Sequence, residues 1–162
     1  MAERTGYSAL QIGLHWLVAI LVVAAYTTSD GMGRALETRL RSGATGFEGN
    51  TTHVWIGGTV FTLILIRVVV KLLHGTPAPS EASPPHLRLA SVWGHRLIYL
   101  LLIAVPTLGA SAWYLGIEAA GEVHDLAGNL LMVVALGHAI MVIVHEAWLG
   151  DGTIRRMMRP GG

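Results

Sequence analysis

Four long stretches of the chain carry no charged side chain, and this pattern sets the expected architecture. The stretches cover residues 5–29, 49–66, 97–117 and 126–145. Each is close to the roughly 20 residues that an α-helix needs to cross about 30 Å of hydrocarbon. The pattern therefore predicts an all-α, integral membrane four-helix bundle. The predicted helices cover approximately residues 8–29, 52–73, 91–114 and 123–149.

The segments between the predicted helices are short. The first loop is expected to hold a short surface helix around Arg34 to Arg41. The second loop has four prolines between residues 77 and 85 and is expected to be an extended connector. Pro106 lies inside the third predicted helix and should kink it. Because the four spans use most of the chain, residues 1–162 are expected to form a single transmembrane domain.

Composition and charge agree with a multi-pass membrane protein. The chain is 52% hydrophobic and only 13% charged, about half the charged fraction of a soluble domain. If the N-terminus is cytoplasmic, eight of the 11 basic residues lie on the cytoplasmic side. The positive-inside rule then predicts that both termini are cytoplasmic. The first apolar stretch could also be a signal peptide, but it is long for one and contains Gln11 and His15.

Histidines inside the apolar stretches are the most informative polar residues. An ionisable side chain in hydrocarbon is costly, so it marks a functional site by default. His53 and His124 begin the second and fourth predicted helices at the same membrane edge. His138 lies 14 residues after His124, and His15 lies 14 residues before Ser29, where the first predicted helix ends at that same edge. Both are therefore about 21 Å below the edge at the helical rise. The matched depths predict two pairs, His53 with His124 and His15 with His138.

Two imidazoles that face each other across a helix bundle suit a haem iron. The chain has no cysteine, which excludes thiolate ligands, Fe–S clusters and covalently attached haem. A zinc or copper site would usually recruit further ligands, and no acidic residue lies within the four stretches. Any one of these histidines could instead bond a carbonyl of a neighbouring helix. Two depth-matched pairs are harder to explain in that way.

The remaining histidines lie near the cytoplasmic edge or in the second loop. His95 and His145 fall at the cytoplasmic ends of the third and fourth predicted helices. Together with Arg67 they are candidates for a quinone or propionate pocket. His74 and His86 are expected to be solvated surface residues of the second loop.

Several motifs resemble those of the bacterial cytochrome b561 family, and they occur in the family's order over nearly the whole chain. They are Gln11-Ile12-x-x-His15-Trp16-Leu17, His53, Arg67 with Lys71, Gly94-His95-x-x-Ile98-Tyr99-Leu100-Leu101, Ala104-x-Pro106-x-x-Gly109, Gly137-His138 with His145, and Gly150-Asp151-x-Thr153-x-x-Arg156-Met157-Met158. The chain is most similar to the small two-haem members that act as superoxide oxidases. This resemblance implies a transmembrane di-haem cytochrome b domain with two non-covalent b haems, bis-histidine ligation of each iron, and ubiquinone as the electron acceptor.

The expected activity is that of an oxidoreductase. An iron with two imidazoles has no open position and suits electron transfer rather than oxygen binding. We expect superoxide to be oxidised at the periplasmic side and its electrons to pass through two haems to ubiquinone. Arg34, Arg39 and Arg41 could form a basic collar that draws the anion to the outer haem, or they could be an ordinary stretch facing lipid headgroups.

Two other functions fit the same residues. One is a quinol-linked electron carrier to a periplasmic redox protein, and the other is a histidine-lined ion transporter without haem. The expected partners are the lipid bilayer, superoxide and ubiquinone, with a protein redox partner in the carrier alternative. No nucleic acid is expected.

Overall fold

The computed structural model describes residues 6–75, 77, 84–150 and 152–161, and this part of the chain is helical with no strand. Four of its helices are long and apolar enough to cross a membrane, which confirms the predicted all-α membrane bundle. The described α-helices are α1 (Ala9–Thr27), α2 (Met32–Ser42), α3 (Thr52–His74), α4 (Pro85–Leu115), α5 (Glu118–Val144) and α6 (Thr153–Arg156), and a π-helical turn (His145–Leu149) continues α5.

Local signals in the sequence explain where the helices begin. α1 starts with a capping box, in which Ser8 Oγ accepts from the backbone N–H of Gln11 and the Gln11 side chain accepts from the backbone N–H of Ser8. Thr51 caps α3 through its side chain. α4 begins with Pro85 rather than at residue 91. Proline is favoured at the first helical position, because the N–H that it lacks would have no partner there.

The short elements complete this picture. α2 is the surface helix expected in the first loop. It lays Leu36 and Leu40 beside Gly121 and Gly116, so its apolar side covers the connection between α4 and α5. α5 begins at Glu118 rather than at residue 123, and α4 remains helical through Pro106.

The long helices pack closely in the order α1 on α3, α3 on α4 and α4 on α5. Their shared core lies in the middle of the bundle and consists of Val18, Val60, Ile64, Leu101, Leu102 and Leu131. Ile64 is completely buried. Because lipid tails are as apolar as leucine, close packing rather than transfer out of water holds such a core together.

The bundle has two distinct ends. The end that carries α2, with the last turns of α1 and α4 and the first turns of α3 and α5, is called the α2 end. The opposite end carries residues 6–8 and 152–161 and is called the tail end. There the backbone N–H of Gly161 donates to the carbonyl of Tyr7 at 3.2 Å. The indole of Trp16 donates to the carbonyl of Met157 at 3.0 Å, so the chain's two described termini pack together.

Candidate functional site

The α2 end holds a pair of histidines that face each other. His53 lies in the first turn of α3 and His124 in the second turn of α5. Their ring centroids are 5.9 Å apart and their planes are nearly perpendicular, at 88°. The structure thus brings together the two residues that the matched depths paired.

Each ring of this pair is held by a backbone carbonyl of another helix. His53 Nδ1 donates to the carbonyl of Ala25 at 2.8 Å, and His124 Nδ1 donates to the carbonyl of Val105 at 2.8 Å. A carbonyl can only accept, so the proton of each neutral imidazole lies on Nδ1. Both Nε2 atoms keep their lone pairs, as in histidines that ligate metals.

Glycines leave room around this pair. A Cβ atom at Gly109 would lie 2.9 Å from two ring atoms of His124, Cε1 and Nδ1, so the ring occupies space that any other residue would fill. Gly57 and Gly128 lie one helical turn beyond His53 and His124, and a Cβ atom at either would meet nothing within 4 Å. Neither glycine position is therefore filled by a side chain or backbone of a neighbouring helix.

The spacing of the helices fits a flat group held from two sides. α5 carries both His124 and His138, and it packs closely on α4 rather than on α1 or α3, which carry the predicted partner histidines. Among the residues that the structure describes, no three His, Cys, Asp or Glu side chains could hold a bare metal ion. A two-histidine donor set needs its other ligands from the bound group itself, as a porphyrin provides. The two-imidazole donor set therefore fits a haem.

At the tail end, three of the histidines that the structure describes lie close together, namely His15, His95 and His138. The ring of His138 contacts that of His95, with centroids 4.9 Å apart. His95 Nδ1 donates to the carbonyl of Ser91 in its own helix at 2.7 Å. His15 interacts electrostatically with both other histidines and with Arg67, and Arg67 Nη2 donates to His15 Nδ1 at 3.3 Å. The ring contact of His138 is therefore with His95, while the predicted partner His15 bonds Arg67.

A small cavity lies next to Arg67, the residue that bonds His15. Its volume is about 30 Å³, and it is lined by Tyr7, Gln11, Leu14, Arg67, Val70, Lys71, Tyr99 and Met157. A site of this size with several polar partners has room for about one water molecule. Burial raises the pKa of the Tyr7 phenol, and nearby Tyr99 adds to the increase, so Tyr7 remains a neutral donor.

The residues expected to form a quinone or propionate pocket have the following contacts. Arg67 lines this cavity, whereas His95 contacts His138. The side chain of His145 lies outside the described residues.

The three arginines of the expected collar differ in their surroundings. Arg34 is exposed, and Arg41 is exposed and paired with Glu37 at 2.6 Å. Arg39 is only 6% exposed, and its guanidinium donates to three backbone carbonyls. The expected collar therefore does not include Arg39, because this residue lies on the buried face of the amphipathic α2 and not on the face exposed to solvent.

The comparisons with known proteins give one consistent result. The family model for prokaryotic cytochrome b561 matches residues 6–160. Cytochrome b562 of Cereibacter sphaeroides is 36% identical over 160 residues, which cover 99% of each chain. The probable superoxide oxidase CybB of Yersinia pestis is 30% identical over 181 residues, with 94% of this chain and 95% of that protein covered. Cytochrome b561 homolog 2 of Escherichia coli is 25% identical over 174 residues, with coverage of 94% and 90%.

Proposed function

Because the chain belongs to the prokaryotic cytochrome b561 family, we propose that it is a di-haem b-type cytochrome that oxidises superoxide at the periplasmic side of the inner membrane and reduces ubiquinone. Family membership accounts for the general role, which is electron transfer with haem b in a bacterial membrane. The choice of superoxide and ubiquinone is supported by the similarity to a probable superoxide oxidase and by the residues at the two ends of the bundle.

The observation that carries this proposal is the His53–His124 pair. Both rings are fixed through Nδ1 and keep Nε2 available, and Gly109 leaves the space that the His124 ring needs. We assign these two residues as those that would hold the outer haem. A haem held there would supply a one-electron couple.

We assign His15 and His138 to the inner haem, following their matched depths. Leu131 of the core lies seven residues from both His124 and His138, so packed apolar side chains separate the two sites. His95 is a second candidate partner for His138, because their rings are in contact. Arg67 donates to Nδ1 of His15, so this bond would have to open before Nε2 of His15 could hold the haem iron.

The two substrates suit the two ends. Superoxide is a small anion that hydrocarbon excludes, and the exposed cations Arg34 and Arg41 at the α2 end would raise its local concentration. Ubiquinone enters from lipid and takes up two protons with its two electrons. In balance, two superoxide anions, two protons and one ubiquinone give two dioxygen molecules and one ubiquinol. At the tail end, Tyr7, Arg67 and Lys71 line a cavity with room for a water molecule that could carry protons inward.

This assignment places the α2 end in the periplasm and both termini in the cytoplasm. The absence of cysteine makes the orientation easy to measure, since a single engineered thiol can be labelled. Thr38→Cys, exposed on α2, should react with an impermeant maleimide added to intact spheroplasts, and Met158→Cys should react only after permeabilisation. The reverse pattern would overturn the orientation.

The quinol-linked carrier is the second candidate function. It is favoured by the relative of 36% identity, whose name is cytochrome b562 and specifies no oxidase activity. Both candidates need two b haems, so a visible spectrum of the purified protein separates them only from a haem-free ion transporter.

Exposure of the oxidised protein to an enzymatic superoxide source separates the two cytochrome functions. We expect rapid reduction seen in the haem absorbance, reoxidation by added short-chain ubiquinone, and loss of the reduction when superoxide dismutase is present. Oxidised protein that is insensitive to superoxide but is reduced by ubiquinol would instead support the carrier.

A further inference from the structure

We propose that Arg39 is a positioning residue for the His53–His124 pair, because its guanidinium fastens the last turn of α4 to the loop that leads into α3. The inference rests on the proposed haem at that pair. The structural unit is called the Arg39 latch and consists of Arg39, Asn50, Trp113 and Tyr114.

Arg39 reaches two separate segments of backbone. Its Nε donates to the carbonyl of Trp113 at 2.9 Å, near the end of α4. Its two terminal nitrogens donate to the carbonyls of Gly46, at 2.8 Å, and Glu48, in the loop before α3. The last carbonyls of a helix lack intrahelical partners and carry partial negative charge. The buried guanidinium therefore has hydrogen-bond acceptors for its donors, and these acceptors belong to both backbone segments.

Aromatic rings complete the surroundings of the guanidinium. Its carbon atom lies 5.0 Å from the ring centroid of Trp113 and 5.7 Å from that of Tyr114, within the range of cation–π attraction. A guanidinium presents its donors in a rigid planar fork and stacks on rings, whereas lysine offers a compact point charge. Lysine at this position would keep the charge but could not reproduce the three hydrogen bonds of the planar guanidinium.

Asn50 makes a second link between the same two segments. Its Oδ1 accepts from the indole N–H of Trp113 at 2.7 Å, and its Nδ2 donates to the hydroxyl of Tyr114 at 2.8 Å. Asn50 directly precedes Thr51, the N-cap of α3, and His53 lies two residues beyond that cap. The start of the ligand helix α3 is thereby tied to α4.

The other side of the latch leads to His124. Trp113 lies four residues after Gly109 and eight after Val105 on the same helix, or one and two helical turns. Gly109 and Val105 are the two residues of α4 that confine and bond the His124 ring. A shift of the end of α4 would move both supports, so the latch acts on both ligands of the outer pair at once.

The test compares three arginine variants by their haems. Arg39→Met removes the charge and the fork, Arg39→Lys keeps only the charge, and Arg41→Met removes an exposed arginine from the same helix as the matched control. The readouts are the haem content per chain, the redox potential of each haem, and the low-spin electron paramagnetic resonance signal, which depends on the angle between the two axial imidazole planes. The inner haem reports whether the bundle still folds.

We expect Arg39→Met to lose most of the outer haem and to retain the inner one. Arg39→Lys should retain more outer haem than Arg39→Met but change the resonance signal and potential of that haem. Arg41→Met should keep the parent's resonance signal and potential. The positioning role is overturned if the haem content, potential and resonance signal of Arg39→Met equal those of the parent, or if Arg41→Met changes them in the same way. It is also overturned if Arg39→Lys equals the parent in these readouts while Arg39→Met is defective.

A second variant covers the case in which Arg39→Met does not fold. Asn50→Ala removes the other link without stranding a charge, and it should change the resonance signal of the outer haem and leave that of the inner haem unaltered. An unaltered outer signal in Asn50→Ala would contradict the latch. If the parent protein itself carries no haem at the α2 end, the proposed function fails first, and that result is seen before any variant is made.

Discussion

The two ends of the bundle hold their histidines in different ways. At the α2 end, His53 and His124 each donate through Nδ1 to a carbonyl of a different helix. At the tail end, His15 accepts from Arg67, so its neutral ring carries the proton on Nε2, and His95 bonds its own helix. The α2 end therefore presents two rings whose Nε2 atoms are available. In the tail-end cluster of His15, His95 and His138, the ring of His15 would first have to change its hydrogen bond.

The difference follows from what surrounds each group. The α2 end offers fixed backbone acceptors, from Ala25 near the end of α1 and from Val105 in α4. The tail end offers long cationic side chains, Arg67 and Lys71, which lie over the ring of Tyr99. Backbone acceptors set one tautomer, whereas long side chains can exchange partners. We therefore expect the outer site to be the more rigid and the inner site to be the more adaptable.

The largest expected effect comes from removing the α5 ligand at either end. His124→Ala should lose the outer haem and keep the inner one, and His138→Ala should do the reverse, because each substitution would remove one of the two histidines that we assign to that haem. Haem content per chain and low-temperature visible spectra of the purified variants measure this. Retention of both haems after either substitution would break the assignment of two separate sites.

The choice between His15 and His95 sharpens the account of the tail end. We expect His15→Ala to lose the inner haem and His95→Ala to retain two haems with a changed inner spectrum, since the depth of His15 matches that of His138. His74→Ala, at the tail end of α3, is the control. If His95→Ala loses the inner haem and His15→Ala keeps it, the ring contact of His138 with His95 identifies the true pair.

A smaller, selective effect is expected at Gly109. Gly109→Ala would place a methyl group 2.9 Å from the His124 ring, so the ring must move and the outer haem should bind more weakly. Replacing glycine by alanine inside a helix otherwise stabilises by about 0.5–1 kcal/mol, so helix propensity would act in the opposite direction. Gly58→Ala is the matched control, because a Cβ atom there meets nothing within 4 Å.

Titration of the haem-depleted variants with haemin measures this effect. Weaker binding at one site in Gly109→Ala, with both sites unchanged in Gly58→Ala, is the expected result. Equal affinities in the two variants would mean that the ring of His124 has no need of the glycine.

The smallest expected effect concerns the exposed arginines. Neutralising Arg34 and Arg41 together should slow the reduction by superoxide roughly 2- to 10-fold at low ionic strength, since two cations at the entrance attract the anion. The difference should disappear as salt screens the charges. The double neutralisation of Arg88 and Arg159 on the tail side gives the same change in net charge and should leave the rate at that of the parent. A rate that depends only on net charge would contradict local steering.

The sequence predicts the helices of this molecule better than the contacts between them. Apolar windows long enough to span a membrane predicted four helices, and the 14-residue spacing on α5 singled out His124 and His138. The partners of the rings could not be predicted, because the carbonyls of Ala25 and Val105 belong to other helices and every residue has a carbonyl. Only the three-dimensional packing shows which one lies 2.8 Å from an imidazole nitrogen.

Arg39 and Gly109 show the same limit for two other kinds of residue. The charge pattern of α2 indicates an amphipathic helix, but three nearby arginines do not show which one faces the protein. Gly109 was part of a recognisable motif, yet its steric reason is visible only with the His124 ring beside it. Sequence patterns record periodicity along one helix, and these contacts are made between helices.

The central claim is that two haem b molecules bind, one at each end, between histidines of opposite helices. The most direct measurement is the ratio of extractable haem to polypeptide in the purified parent protein, determined by pyridine haemochrome absorbance and quantitative amino-acid analysis. The account predicts two b-type haems per chain, with two distinct midpoint potentials in a redox titration. A ratio of one, or protein that folds and remains monodisperse without haem, would contradict it.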